Sequence, residues 1–172
     1  FVDLCNEYPL DCWAPFLKND SEYKALVKEG IYTQGQGIPR TSPIAARWMN
    51  QSIAKVRDKY PDLDYTFSQT GGYDNVDEQD ISSLDILEPH LWMANDTEYY
   101  SLVDYNYERF DSRGYTNLAL YGEEIYRSKA SYWDDKLREG VTMLAYWSRR
   151  TGKALVTTEC WSVVDYKDWP LL

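Results

Sequence analysis

Short β-rich runs separated by long helical stretches leave this chain few ways to fold. In the first run, Val2, Leu4 and Asn6 alternate with Asp3, Cys5 and Glu7. That period of two marks a strand, and Tyr8-Pro9 stops it because Pro9 has no N–H for a ladder. Further strands are predicted over Leu63–Thr70, closed by Gly71-Gly72, from Ser83 to about His90, and over Ala154–Glu159. Asn19-Asp20 can cap a helix over Ser21–Glu29, whose apolar face is Tyr23, Leu26 and Val27 and whose C′ residue is Gly30. Ser42-Pro43 starts a second helix that runs to Tyr60 before Pro61. Thr97 caps a third, from Glu98 to about Phe110, and Gly114 breaks the pattern after it. The spacing of Trp133, Leu137, Val141, Leu144, Ala145 and Ser148 predicts one long helix over 123–150, ended by Gly152. Arg149, Arg150 and Lys153 suit the negative end of its dipole. Long helical stretches between strand regions imply parallel strands with right-handed crossovers in a single α/β domain over 1–172.

The chain has 172 residues, enough to bury a real core, and a formal net charge of −10. An acidic surface repels nucleic acid and anionic membranes, so neither is expected as a partner. No apolar run approaches the roughly 20 residues of a membrane span. Cys5, Cys12 and Cys160 make an odd count without metal spacing. They read as buried free thiols, which leans towards a reducing, cytoplasmic setting. Gln34-Gly-Gln-Gly37 lacks the glycine pattern of a phosphate cradle. Asp74, Asp77, Glu78 and Asp80 read as a solvated acidic loop rather than a Ca²⁺ loop. No cofactor and no metal are expected.

Function is carried by what stands at the strand ends. Asn6-Glu7 closes the first predicted strand and Thr158-Glu159 the last. Parallel α/β barrels keep their chemistry at the carboxyl ends of their strands. Two glutamates there suit glycoside cleavage, in which one carboxylate attacks the anomeric carbon and the other acid protonates the leaving oxygen. Glu7 and Glu159 are therefore the catalytic candidates, at the about 5–5.5 Å separation of a retaining pair. His90, at another strand end, is a candidate for binding substrate or orienting a glutamate. Trp92, Trp161 and Trp169 offer flat faces to sugar C–H groups, and Trp13 and Phe16 possible walls. Gln69, just before Gly71-Gly72, is a further candidate. A closed barrel needs eight strands and about 250 residues. Four strands imply a partial (β/α)8 TIM barrel, with long loops over 8–39 and 93–126 on the active face.

Asn6-Glu7, His90-Leu91-Trp92 and Thr158-Glu159, each at a strand end and in this order, resemble strands four, six and seven of the clan-A retaining glycoside hydrolases. Within that clan the chain resembles the cellulase-like family of sugar-active proteins, along its whole length but over half a barrel. The resemblance implies that Glu7 is the acid/base, Glu159 the nucleophile, and Asn6 a hydrogen-bond partner of the sugar 2-hydroxyl. It implies a carbohydrate substrate, with the remaining barrel strands supplied by other parts of the same protein. The clan often has His-x-Tyr where this chain has His90-Leu91-Trp92, which puts a tyrosine-hydroxyl role in doubt.

Three further readings fit the same residues. One is a carbohydrate-binding barrel that has lost turnover. Another is a compact four-strand α/β sandwich. The last is an α/β domain of unrelated function, with the glutamates on opposite sheet edges.

Overall fold

The computed structural model describes residues 1–9, 15–34, 37–71, 73–92, 97–105 and 112–161. In chain order its elements are β1 (Val2–Asp3), α1 (Ser21–Lys28), α2 (Pro43–Arg57), β2 (Tyr65–Thr66), β3 (Gln69–Thr70), β4 (Ile86–Leu87), β5 (Pro89–Trp92), α3 (Thr97–Val103), α4 (Ser112–Ser128), α5 (Ala130–Thr151), β6 (Ala154–Leu155) and β7 (Cys160–Trp161). Short 3-10 segments cover Pro15–Asn19 and Tyr73–Glu78. The fold is mixed α/β with short parallel strands. It forms two compact units: Phe1–His90 with Leu144–Thr158, and Leu91–Met143 with the residues from Glu159 on.

In the first unit the predicted strand regions run parallel. β1 pairs with β2, β3 with Pro89 and His90 of β5, and β4 with β6. The Asp85 N–H donates to the Tyr65 carbonyl at 2.9 Å and ties the start of β4 to β2. Each ladder is shorter than predicted, for identifiable reasons. After Asp3 the aspartate carboxylate takes the N–H groups of Cys5 (3.2 Å) and Ser68 (2.9 Å), so a side chain replaces the ladder. The backbone still follows its neighbour, because Leu4 donates to Thr66 and Tyr8 to Ser68, both at 3.0 Å. The third region divides at Glu88, beside Pro89, which has no N–H. Among the described residues, the link from the second region to the third holds a 3-10 segment, kinked at Asn75 (φ −123°, ψ 32°), where a parallel crossover ordinarily carries a helix. Its buried residues Tyr73, Val76 and Gln79 recur every three positions, the period of a 3-10 turn rather than of an α-helix.

Helix ends follow local signals. Asp20 Oδ1 accepts from the N–H groups of Glu22 (2.9 Å) and Tyr23 (3.1 Å). Burial raises the pKa of Asp20, but donors from Tyr23, Trp48, Arg47 and Glu22 outweigh it and hold the carboxyl below its usual range. Gly30 (φ 77°) closes α1 in a Schellman motif, with Ile31 donating to Leu26 and Gly30 to Val27. Ser42 Oγ accepts from the Ala45 N–H at 3.2 Å, and Pro43 occupies the first turn of α2. α2 buries Ile44, Ala45, Met49 and Ile53 and packs on β2, where Tyr65 is also buried. Ile44, Met49 and Ile53 each contribute on the order of 1.5–3 kcal/mol on leaving water.

The second unit has a core of Tyr99, Val103, Tyr105, Leu118 and Trp133. Gly114, read from sequence as a break, lies buried inside α4. Gly114, Leu118 and Gly122 fall at i, i+4 and i+8 and form one buried face. Tyr99 reaches that face, and its hydroxyl donates to the Gly122 carbonyl at 3.1 Å. The real interruption is at Lys129, which divides the single helix predicted over 123–150. Lys129 is held there: its N–H donates to the Tyr126 carbonyl at 3.1 Å and its Nζ pairs with Glu98 at 2.8 Å. Along α5 the buried residues include Trp133 and Trp147, while Val141, assigned to the apolar stripe, is exposed. α3 stops at Asp104 (φ 53°), short of the predicted end near Phe110, which lies outside the described residues. Leu91 and Trp92 of β5 pair with Cys160 and Trp161 of β7 in this unit. No described helix is long and apolar enough to cross a membrane.

Candidate functional site

The first unit gathers a polar cluster around Glu7. Glu7 has φ 47°, a left-handed backbone conformation that costs a non-glycine residue roughly 1 kcal/mol or more. Its N–H donates to Ser68 Oγ at 2.8 Å, and the peptide that follows, Tyr8-Pro9, is cis. Ser68 is itself placed by Asp3 through its own N–H. Two short polar side chains thus set the turn that presents the Glu7 carboxylate, which is 18% exposed.

His90 approaches from the next strand region but one. Its Nδ1 lies 3.1 Å from Glu7 Oε1, and in the Nδ1–H tautomer the ring donates to the carboxylate. The His90 side chain is 1% exposed. On its far side Nε2 stands 4.0 Å from Oε1 of Glu88, a carboxyl equally buried. Glu88 Oε1 also accepts from the Thr158 hydroxyl. The Tyr73 hydroxyl points its one proton between the carbonyls of His90 (2.5 Å) and Gln69 (3.0 Å), so the strand ends beneath the cluster are tied together. Burial raises the Tyr73 pKa, which keeps this donor protonated.

Arg40 braces the same edge. It is 8% exposed, and its Nη1 donates to the carbonyls of Phe67 (2.9 Å), Ser68 (2.9 Å) and Tyr8 (3.3 Å). Burial pushes its pKa down to about 10, against the opposing pull of Tyr8 and Asp3, and the group is still a cation at neutral pH. The Tyr8 hydroxyl donates to the Ala45 carbonyl at 2.8 Å, and burial raises its pKa as well. Beside Glu7 opens a cavity of about 340 Å³, lined among others by Pro9, Arg40, Gln69, Asn75 and Gln79.

These strand ends, with a glutamate and a buried histidine at their rim, give the setting in which the comparisons with known proteins are read. The model of the family described as sugar-binding cellulase-like matches residues 1–172. The chain belongs to that family. A protein of Parabacteroides distasonis, whose crystal structure is described as that of a candidate glycoside hydrolase, is 38% identical to it, with a TM-score of 0.77. The match covers 100% of this chain and 43% of that one, so the cellulase-like chain spans less than half the length of this relative. No curated protein matches.

Of the residues singled out in this cellulase-like sequence, Asn6, Glu7, Gln69 and His90 fall in the first unit. Asn6 is half-buried next to Glu7. Gln69 is buried on the cavity wall, with Nε2 donating to the Gly71 carbonyl at 2.9 Å. Glu159, Trp92 and Trp161 belong to the second unit. Glu159 follows Thr158 directly, in the bend before β7, and is half-buried, as is Trp92. Trp161 lies in β7. Trp169, Trp13 and Cys12 lie outside the described residues. Cys5 and Cys160 are half-buried rather than buried, and neither forms a disulfide. In the acidic loop Asp77 pairs with Arg150 at 2.9 Å, and Asp80 accepts from Ser82 and Asn50.

Sequence reasoning missed Glu88, Arg40 and Tyr73. For Glu88 a signal was present: it is a charged residue two positions before His90 within a β-rich run, so the pleat puts both on one face. Arg40 and Tyr73 follow glycine-containing loops, and nothing local distinguishes them from surface residues.

Proposed function

We propose that this chain carries the acid/base and the nucleophile of a retaining glycoside hydrolase, on strands four to seven of a (β/α)8 barrel. Glu7, protonated, gives its proton to the departing glycosidic oxygen while the Glu159 carboxylate attacks the anomeric carbon. The C–O bond breaks, an alcohol leaves, and a glycosyl ester forms on Glu159. A water then loses a proton to Glu7, attacks the same carbon and frees the sugar. Asn6 takes the 2-hydroxyl. The observation that carries this reading is the Glu7–His90 contact: a strand-end glutamate in a strained turn, held through Oε1 by a buried imidazole. Such a contact fixes one carboxyl oxygen, and in this mechanism the other serves the departing oxygen. Membership of the sugar-binding cellulase-like family and likeness to a candidate glycoside hydrolase support the substrate class.

The test is aryl-glycoside hydrolysis by the full-length protein and by Glu159→Ala and Glu7→Ala. Loss of two or more orders of magnitude in kcat is expected for Glu159→Ala, with partial rescue by azide as an external nucleophile. Equal rates in wild type and Glu159→Ala would remove the nucleophile assignment. Sugar binding without turnover in wild type would leave the carbohydrate-binding reading.

A further inference from the structure

We infer that the cavity beside Glu7 is the leaving-group pocket of the proposed reaction, that it takes a neutral sugar ring, and that Asn75 reads that ring's hydroxyls. The inference rests on the assignment of Glu7 as acid. In a double displacement the acid faces the departing oxygen and the nucleophile faces the anomeric carbon. A pocket lined by the acid therefore holds the departing half of the substrate. Glu7 is the one carboxylate among the described residues lining this cavity.

The walls are built for a polyhydroxylated neutral molecule. Tyr8 and Pro9 are buried and supply apolar surface for C–H faces. Gln69 and Gln79 are buried polar side chains on the same lining. Asn75 is half-buried, and its amide offers both a donor and an acceptor, the pair a vicinal diol requires. The kink at Asn75 interrupts the 3-10 segment just where that segment meets the cavity. Arg40 does not invite an anionic ring, because its Nη1 is committed to three carbonyls and its Nε is buried. At about 340 Å³ the cavity lies at the low end of small-molecule sites, roughly 300–1,000 Å³, and suits one ring rather than a length of polymer.

The experiment compares two substrates in the full-length protein. A glycosyl fluoride has a leaving group that needs neither a proton nor a pocket; cellobiose has a sugar leaving group. Asn75→Ala should lower kcat/KM for cellobiose about fivefold, the worth of one neutral hydrogen bond, and leave the fluoride rate within about twofold. Asn75→Trp, which fills the cavity from a turn outside the core, should remove cellobiose turnover and keep fluoride turnover. Equal losses on both substrates, or no loss on cellobiose, would overturn the pocket assignment. If wild type hydrolyses neither, the catalytic reading falls instead. Calorimetric titration with cellobiose then still decides the pocket: heat lost in Asn75→Trp supports it, and unchanged heat refutes it.

Discussion

Arg40→Met tests how the edge that carries Glu7 is held. The guanidinium is buried and bonds the carbonyls of Tyr8, Phe67 and Ser68. Its fall from 12.5 to about 10, the net of burial and the opposing attractions, corresponds to a cost of about 3 kcal/mol for holding the charge, at about 1.36 kcal/mol per pH unit. Methionine has similar length and no charge, so that cost disappears in the variant. Against it, the Tyr8 and Phe67 carbonyls lose this donor, while Ser68 keeps the Tyr8 N–H. Two buried carbonyls at about 2 kcal/mol each, plus one charge-assisted bond at about 1.5, come to about 5 kcal/mol. The expected net loss is thus about 2 kcal/mol. Urea unfolding at pH 7, followed by tryptophan fluorescence, should show a midpoint about 1 M lower for a slope near 2 kcal/mol/M. Arg40→Lys should recover only part, because one ammonium cannot reproduce a planar fork. A midpoint within about 0.2 M of wild type in Arg40→Met would refute the bracing role.

Two further outcomes follow from the same region. Because Glu7 sits at φ 47°, Glu7→Gly should be more stable than Glu7→Ala by about 1 kcal/mol, although both lack the carboxylate; the reverse order in thermal melts would contradict the strained-turn description. Stability should also fall in alkali. Tyr8 and Tyr73 have folded pKa values above the ordinary 10, so their stabilisation is complete below pH 10 and is lost as pH rises through the folded values. Each contributes about 1.4 kcal/mol per pH unit, and Arg40, whose folded value lies below its unfolded one, opposes one of them. The net slope is about 1.4 kcal/mol lost per unit above pH 10, and it should flatten in Tyr73→Phe. Urea midpoints at pH 9, 10 and 11 measure this, and an unchanged wild-type midpoint from pH 10 to 11 would count against it.

What the sequence disclosed was mostly local. Asp20, Ser42-Pro43 and Gly30 act through backbone groups within a few residues, so their caps stand where the sequence puts them. The parallel direction of β1 with β2 and of β4 with β6 was also legible, since long helical stretches between them exclude hairpins. Failures came where tertiary contacts override local preference. Gly114 reads as a breaker in isolation, yet it forms part of a buried helix face with Leu118 and Gly122. Lys129 carries no breaking signal and interrupts the helix while bonded to Tyr126 and Glu98. His90 was read as a strand-end residue, whereas Glu88 behind it was passed over despite sharing its face of the pleat, because a charged residue in a β-rich run ordinarily points to solvent. Glu7 was found through its neighbour Pro9; its left-handed backbone depends on Ser68, sixty-one positions away.

Pro89 bears on how faithfully this edge is assembled. Most strands keep their alignment through what they can bond, and a slide by one step exchanges one set of partners for an equivalent one. Here a slide would bring a nitrogen without hydrogen to a place where a donor is needed, and would turn the imidazole to the opposite side of the sheet. The imino acid next to His90 thus penalises mispairing, so the alignment of the histidine with Glu7 is protected by a group that takes no part in binding it.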